Sequence, residues 1–402
     1  MTKRKEKNYK KRAIRMSIAA GVLAVILTIL LILRTNVAVS EWMASTISRG
    51  WIRVASRISS IFPFSLYEML LYVVIIAVIA LIVVAIVFFC KKKVMRAITY
   101  LIVILIIGLS IGDVYTLSAG FAYYRSAPDL DYYKANYVGS DNKDEIIALA
   151  EFMIDDFNNL AEKMVRDKDG RTVSPYSFNE LSDRLAEEYK RLDSDYFSSF
   201  TPRAKKITSK NIMSHMGMVG VFFAPFGEAN VNPYESSYRM PVTMAHELAH
   251  SKGVMRESEA NLVAYWLTLT SDDEYLRYSG YTDCYYIMLQ VVRFYDGEKA
   301  SELSNSLSPL IIKEWRLYNE FWSQFDLLEK ITNVIYEFYL KLQGVKNGVG
   351  SYEEPTLDPG EIIVPADPST GEEEKTDRVY YLNLTQKVMI KAIKDRKDAE
   401  HR

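Results

Sequence analysis

The stretch MAHELAHSKGVMRESEAN, residues 244–261, decides the fold and chemistry expected of this chain. Its first half carries the pattern H-E-x-x-H at His246, Glu247 and His250. Residues four apart share one face of a helix, so the two histidines can direct imidazole nitrogens at one ion. Glu247 lies on the adjacent side, where it can take a proton from a metal-bound water. We therefore predict zinc (Zn2+) as the cofactor, with His246 and His250 as ligands and Glu247 as the catalytic residue.

The third ligand must come from the second half of the stretch. An unbroken helix would place Glu257 about 10 Å beyond the second histidine, too far for one side chain to bridge. Gly253 is suited to end the helix, because glycine tolerates the left-handed backbone conformation at low cost. A second helix over about residues 256–270 would then bring Glu257 back as the third metal ligand, with Glu259 as the alternative. Asn261 shares the face of Glu257 and can fix the tautomer of a ligand histidine.

The alternative interpretation of this stretch is an exposed amphipathic helix with two solvated histidines. The chain has only four histidines, and two of them fall in this one helical turn. An acidic cluster also follows on the next helical segment, within reach of the same ion. Both observations favour a metal site. Outside it, His215 is either a transition-state donor or a packed or solvated side chain.

These residues resemble the gluzincin metallopeptidases, in which H-E-x-x-H is followed by E-x-x-A-D or a near variant. Here the second motif is E-S-E-A-N over residues 257–261, with Asn261 in the place of the aspartate. Only six residues separate the second histidine from Glu257, which is shorter than in those families. The resemblance implies a zinc-dependent peptidase with a glutamate as its third protein ligand.

A resemblance over much of residues 1–352 links the chain to a bacterial membrane-protein family catalogued only as a domain of unknown function. It rests on F-P-F-S at residues 62–65, Y-Y-R at 123–125 and G-E-A-N at 227–230, together with the metal motif. It implies a membrane-anchored zinc peptidase and names no substrate.

Residues 1–122 are predicted to form a membrane anchor with three transmembrane helices, at about 16–33, 69–90 and 97–118. Each apolar run approaches the ~20 residues needed to cross a bilayer. A signal peptide is a poor alternative for the first run, because two more follow and no cleavage site is evident. The N-terminal tail and residues 91–96 are rich in lysine and arginine, which predicts that both face the cytoplasm. Three spans then place the remaining chain outside it, although arginines between the first two spans weaken the contrast.

The rest of the chain predicts a mostly helical α+β, zincin-like extracytoplasmic domain with a small sheet over residues 123–352. Helices are expected at about 144–165, 178–192, 283–297, 309–324 and 328–342, and a strand at 218–224. The polar residues that follow this strand either line the cleft or form an ordinary turn. A disordered linker at 353–376 and a C-terminal helix within 377–402 complete the prediction. Cys90 and Cys284 are expected to stay unpaired, since the membrane separates them.

The leading hypothesis is a peptidase acting on a peptide or protein substrate, with cell-envelope peptides as one class, alongside the lipid bilayer and without nucleic acid. One of several tyrosines would polarise the scissile carbonyl: Tyr281, Tyr285, Tyr286, Tyr336 and Tyr339. The alternative is a non-catalytic membrane receptor or assembly protein with a structural zinc site, which usually has four protein ligands. Proteolysis inside the bilayer is disfavoured, because charged side chains surround the motif.

Overall fold

The computed structural model describes residues 3–128, 143–192, 194–325, 328–345, 360–364, 375–379 and 382–400. The described chain is mainly α-helical with a small sheet and N-terminal apolar helices, as the sequence predicts. The helices of the N-terminal part are α1 (Lys3–Leu33), α2 (Val37–Met43), α3 (Arg49–Ser59), α4 (Leu66–Cys90) and α5 (Val94–Tyr115). Those of the remaining part are α6 (Lys143–Lys163), α7 (Phe178–Lys190), α8 (Lys210–His215), α9 (Met240–Ser251), α10 (Glu257–Leu269), α11 (Glu274–Tyr295), α12 (Gly297–Asn305), α13 (Pro309–Trp322), α14 (Glu329–Leu342) and α15 (Leu384–Glu400).

Three helices are long and apolar enough to cross a membrane, over Asn8–Leu33, Leu66–Cys90 and Val94–Gly120. The three predicted spans are therefore confirmed, with α1 beginning earlier in the basic tail and the third continuing through a π-helical turn at Thr116–Gly120. Helix α5 packs against both α1 and α4. Only 6%, 6% and 11% of the most apolar part of these three helices is buried inside the protein, which indicates that lipid covers their remaining apolar side chains.

The segment between the first two spans folds into α2, a π-helical turn at Ala44–Ser48, and α3, none of which was predicted. Its arginines bind the domain that follows the third span. The guanidinium group of Arg49 donates to the backbone oxygens of Asp195 and Tyr196, both at 2.8 Å. Arg53 donates to Ser199 at 3.0 Å. These contacts explain why the segment between the first two spans contains arginines, although the predicted topology places it outside the cytoplasm.

Most of the predicted helices of the domain are confirmed. The predicted capping box opens α7, where Ser177 accepts from the backbone of Glu180 and the Glu180 side chain accepts in return. Helix α11 starts nine residues earlier than the predicted 283–297, because Asp273 caps it by accepting from the amides of Tyr275 and Leu276. Helix α12 was not predicted. The N-cap and the proline predicted for α13 are present at Ser308 and Pro309.

A three-stranded sheet lies beside α9. Its strands are β1 (Lys205–Lys206), β2 (Gly220–Phe223) and β3 (Glu228–Val231), in the order β1-β3-β2. Strand β2 confirms the strand predicted at 218–224 and pairs antiparallel with β3. Strand β3 corrects the interpretation of its residues as a polar turn or cleft lining. Asn230 and Asn232 are fully buried, and neither they nor Glu228 line the cleft described below.

The predicted linker 353–376 contains a strand. Strand β4 (Gly360–Val364) pairs antiparallel with β5 (Lys375–Val379), and the rest of the predicted linker lies outside the described residues. The C-terminal helix α15 begins at Leu384 and docks on α6, α10 and α11. Its apolar side chains are buried in the domain, notably Val388, Met389, Ile390 and Ile393. Cys90 and Cys284 are both free thiols.

Candidate metal centre

The metal motif occupies a helix, a tight turn and a second helix. Pro241 stands in the first turn of α9, where a missing amide hydrogen costs nothing. After α9 ends, Gly253 adopts a φ of +91°, the left-handed conformation predicted for it. The Gly253 amide donates to the His250 carbonyl at 3.1 Å, and Arg256 is the extended residue before α10. The chain therefore reverses at the predicted glycine.

This reversal brings the three predicted ligands together. One ligand atom each of His246, His250 and Glu257 lies within 4.8 Å of the others. The Oε2 atom of Glu257 is 3.0 Å from Nε2 of His246 and 3.6 Å from Nε2 of His250. All three side chains are at most 13% exposed, so water is largely excluded from them. Two imidazole nitrogens and one carboxylate oxygen thus converge on one point.

The remaining ring nitrogens are fixed by hydrogen bonds. Nδ1 of His246 lies 2.7 Å from the side-chain oxygen of Asn261, and Nδ1 of His250 lies 2.7 Å from the carbonyl oxygen of Val254. Both partners are acceptors, so each Nδ1 carries the proton and donates it. Each Nε2 therefore faces Glu257, either as a hydrogen-bond donor when the ring is protonated or with its lone pair available when a metal ion takes the place of that proton. Asn261 occupies the role predicted for it.

The second oxygen of Glu257 is also bound. The hydroxyl group of Tyr336, on α14, donates to Oε1 of Glu257 at 2.8 Å. Among the five candidate tyrosines, Tyr336 therefore lies nearest to the ligand cluster. Tyr281 instead donates to Asp156, and Tyr285 contacts Ser304, so neither lines the cleft. Tyr286 and Tyr339 line it without a described contact to a ligand.

Glu259, the alternative third ligand, is directed elsewhere. Its carboxylate pairs with Arg256 at 2.5 Å, and it does not belong to the ligand cluster found among the described residues. His215 also stays apart from this cluster, with its ring against that of Phe325 at 5.0 Å between centroids.

Glu247 lies beside the ligands, between α9 and β2. It is only 5% exposed, and a Cβ atom at Gly220 would come within 2.3 Å of its Oε1. Glycine at position 220 therefore leaves the space that the carboxylate fills. Oε2 has no hydrogen-bond partner among the described residues. Burial raises the pKa of Glu247 to about 7, although the two histidines oppose the shift.

The cluster is electrostatically suited to a cation. Burial alone would raise the pKa of Glu257, but His250 and His246 outweigh it and hold that pKa well below its usual range. Burial likewise disfavours protonated His250, yet the charge of Glu257 and its hydrogen bond raise the pKa of His250 to about 9. A buried carboxylate that stays ionised requires compensating positive charge. A proton on a histidine can supply it here, and so can a metal ion.

The site opens into a cleft of about 1570 Å³. Its walls include β2, the face of α9 that carries His246 and His250, part of α14 and residues of α5. Strand β2 is at the edge of its sheet, and all four of its residues line the cleft. An edge strand beside a cleft can pair with an extended peptide.

A second buried cluster, which the sequence analysis missed, joins the sheet to the membrane anchor. Glu228 of β3 pairs with Lys205 of β1 at 2.6 Å, and their side chains are 0% and 9% exposed. The same carboxylate accepts from Ser65 at 3.0 Å and from the backbone amides of Leu66 and Tyr67, at the start of α4. We call these residues the junction cluster. The only sequence signal for the junction cluster was that Ser65 and Glu228 each belong to a motif of the family resemblance, F-P-F-S and G-E-A-N.

A family model described as "Protein of unknown function (DUF3810)" matches residues 44–356. The match runs from the loop after the first span to beyond α14, and it confirms the predicted resemblance to a family of unknown function. No curated protein and no solved structure matches the chain. The resemblance to gluzincins stays a prediction.

Proposed function

Since this chain belongs to the family described as "Protein of unknown function (DUF3810)", we propose from its geometry that it is a membrane-anchored zinc peptidase acting outside the cytoplasm. One observation carries the proposal. The ligand atoms of His246, His250 and Glu257 converge within 4.8 Å, and the buried Glu247 lies beside them with one oxygen that no described residue hydrogen-bonds.

The residues fit zinc. Two imidazole nitrogens and one carboxylate oxygen form the donor set of many catalytic zinc sites, which keep a fourth position open. A structural site would need a fourth protein ligand, and the cluster in the described part of the chain has three. A zinc ion held there would make water more acidic and polarise a scissile carbonyl.

Glu247 supplies the proton transfers. Its carboxylate would accept a proton from the attacking water as the water oxygen bonds to the carbonyl carbon. It would return this proton to the amide nitrogen as the C–N bond breaks, which yields a carboxylate and an amine. The position of Glu247 against Gly220 supports this role, because a peptide paired with the edge of β2 would place its backbone beside the carboxylate.

The positions of the span ends support the extracytoplasmic placement. Arg34, after span one, donates to the carbonyl oxygen of Leu342 at 2.6 Å, and the start of span two binds Glu228. These contacts support a position of the candidate metal-binding domain on the membrane side opposite to the basic N-terminal tail and to the loop Lys91, Lys92 and Lys93. Since positively charged loops stay in the cytoplasm, the domain would lie outside. The site contains no cysteine ligand, which suits an oxidising compartment.

The full-length protein in lipid nanodiscs provides the test. Zinc content is measured by mass spectrometry, and turnover is followed with a mixed-sequence, fluorescence-quenched peptide library. We expect the wild-type chain to bind one zinc ion. Glu247→Gln should bind zinc but lose turnover, and Glu257→Gln should not bind zinc. Glu259→Gln is the matched control, because its carboxylate pairs with Arg256, and should keep both properties.

Turnover by Glu247→Gln equal to that of the wild type would refute the proposed mechanism. Zinc bound in Glu257→Gln but lost in Glu259→Gln would move the third ligand to Glu259. A wild-type protein that binds zinc and cleaves no peptide would instead favour the non-catalytic receptor or assembly protein.

A further inference from the structure

The cleft that holds the metal site extends along the third membrane span. Gly108, Ile111, Gly112 and Tyr115 of α5 line it. Their spacing of three to four residues places them on one face of the helix. A Cβ atom at Gly108 would meet no other atom within 4 Å. There is therefore open space beside Gly108, where the wall of the cleft passes from the domain to the membrane-spanning helix.

The facing wall is α14, an amphipathic helix. Thr332, Tyr336 and Tyr339 line the cleft from this helix. Leu340 on the other side of α14 is buried, whereas one face carries five apolar side chains that are exposed by 56% to 71%: Ile331, Val334, Ile335, Phe338 and Leu342. Ile335 also borders the cleft. An apolar face of this size on a single helix needs a partner that covers it.

The bilayer is the partner that the contacts of α14 indicate. Beyond Leu342, the side chain of Gln343 accepts from Arg34, the residue that follows the first span, at 2.8 Å. Tyr339 bonds with the hydroxyl groups of Tyr115, at the end of α5, and of Tyr123. Tyrosines and arginines are typical of the membrane surface. The apolar face of α14 thus begins where the lipid-covered surface of the spans ends.

The same helix gives the height of the metal site above the bilayer. Tyr336 bonds with Glu257, whereas Tyr339, about one helical turn further along, bonds with the end of the third span. One turn of helix rises about 5 Å. The metal-binding residues therefore lie at the membrane surface, level with the apolar face of α14, rather than in the bilayer interior, which agrees with their polar surroundings.

We propose that the cleft opens sideways to the bilayer between α5 and α14, and that its substrate is a membrane-anchored polypeptide cut just outside its anchor. This inference rests on the proposed peptidase function and adds the class of substrate. The anchor would enter along α5 beside Gly108, because the side of Gly112 is already occupied by Leu27 of α1. The emerging segment would then reach the edge of β2 beside Glu247.

The opening itself can be tested without activity. Gly108→Cys and Ile335→Cys are each made in a Cys90→Ser background and labelled with bimane. Cys284 can stay, because it is buried. The fluorescence is compared in nanodiscs with and without brominated phospholipids. We expect brominated lipid to quench the label at Gly108 as strongly as a label at Gly21, an exposed site on α1, and to quench the label at Ile335 as well. Labels at Gly108 and Ile335 that brominated lipid leaves unquenched would overturn the proposal.

The substrate class is tested with two forms of the mixed-sequence peptide library in the same nanodiscs. One form is free, and the other is joined to a Leu/Ala helix of about 20 residues that spans the bilayer. We expect kcat/KM for the anchored form to exceed that of the free form by at least about tenfold, since anchoring raises the local concentration. Gly108→Trp should remove this advantage with zinc content retained. Gly21→Trp, where a Cβ also meets nothing within 4 Å, is the matched control and should keep it.

The outcomes separate this inference from the function on which it rests. Equal cleavage of both forms refutes the anchored substrate and leaves the peptidase intact. No cleavage of either form by zinc-loaded protein refutes the peptidase, and the substrate proposal with it. An anchored preference that survives Gly108→Trp refutes the proposed route of entry.

Discussion

Replacing Tyr336 by phenylalanine tests whether the geometry around Glu257 holds a metal ion. The change deletes one hydroxyl group and keeps the ring, which stacks on that of Tyr339 with 5.8 Å between the centroids. That hydroxyl donates to Oε1 of Glu257 at 2.8 Å, while Oε2 faces both histidines. We expect Tyr336→Phe to weaken zinc binding, because the carboxylate would lose the contact that orients it.

The size of the effect follows from burial. Glu257 is only 6% exposed, so water does not readily replace the lost donor. A hydrogen bond to a charged group contributes about 1.5–3 kcal/mol. Removing a group that orients a metal ligand typically lowers affinity about 10- to 100-fold, which is the same range of energy.

The assay is a competition titration of zinc against a chelating dye with the full-length protein in nanodiscs. Tyr339→Phe is the matched control, because it removes a hydroxyl one turn away that bonds Tyr115 and Tyr123 instead. The control should leave the zinc affinity unchanged. Equal affinities for Tyr336→Phe and the wild type would refute the assignment of Glu257 as the ligand. A fall in kcat at saturating zinc would add a transition-state role for Tyr336.

Three further outcomes are expected. Glu228→Gln should lower the free energy of unfolding by about 3–5 kcal/mol, since it leaves Lys205 buried without its counter-charge. The control is Glu187→Gln, at an exposed position. If Glu228→Gln melts at the same temperature as the wild type, the role of the junction cluster is contradicted. Gly253→Ala should lower the free energy of unfolding by about 1–2 kcal/mol, because alanine is strained at a φ of +91°. It should also weaken zinc binding, whereas the control Gly297→Ala should leave the zinc affinity unchanged. Chelation of zinc should lower the melting temperature, because a ligand at 100 times its Kd stabilises the folded protein by about 2.7 kcal/mol. If chelation lowers the melting temperature of a His246→Ala variant by the same amount, the stabilising metal binds elsewhere.

The sequence predicted those features that are encoded locally. Apolar runs of sufficient length specify the three spans, and i, i+4 spacing specifies the pair His246 and His250. Gly253 marked the reversal, and the sequence favoured Glu257 over the alternative Glu259 as the residue that faces the histidines. In each case, a few neighbouring residues determine the conformation without help from distant parts of the chain.

Features that depend on distant partners were missed. The E-A-N-V segment of β3 has too few apolar residues to show a strand pattern, and it forms a strand because β1 and β2 pair with it on both sides. Helix α3 carries arginines that suggested a polar loop, but these arginines bind a domain nearly 150 residues later in the chain. Tyr336 could not be distinguished from the other tyrosines, since only the folding of α14 against the cleft selects it.

The junction cluster connects these observations to the proposed chemistry. Glu228 bonds both to the start of the second span and to Lys205, which itself donates to the backbone oxygens of Ser59 and Phe64. Strand β3 is thereby attached to the membrane anchor, and β2, which pairs with β3, is held with it. The edge of β2 therefore keeps a constant height above the bilayer, beside Glu247. A peptidase for membrane-anchored chains requires this, because the distance from the anchor to the cut is set by the height of the site.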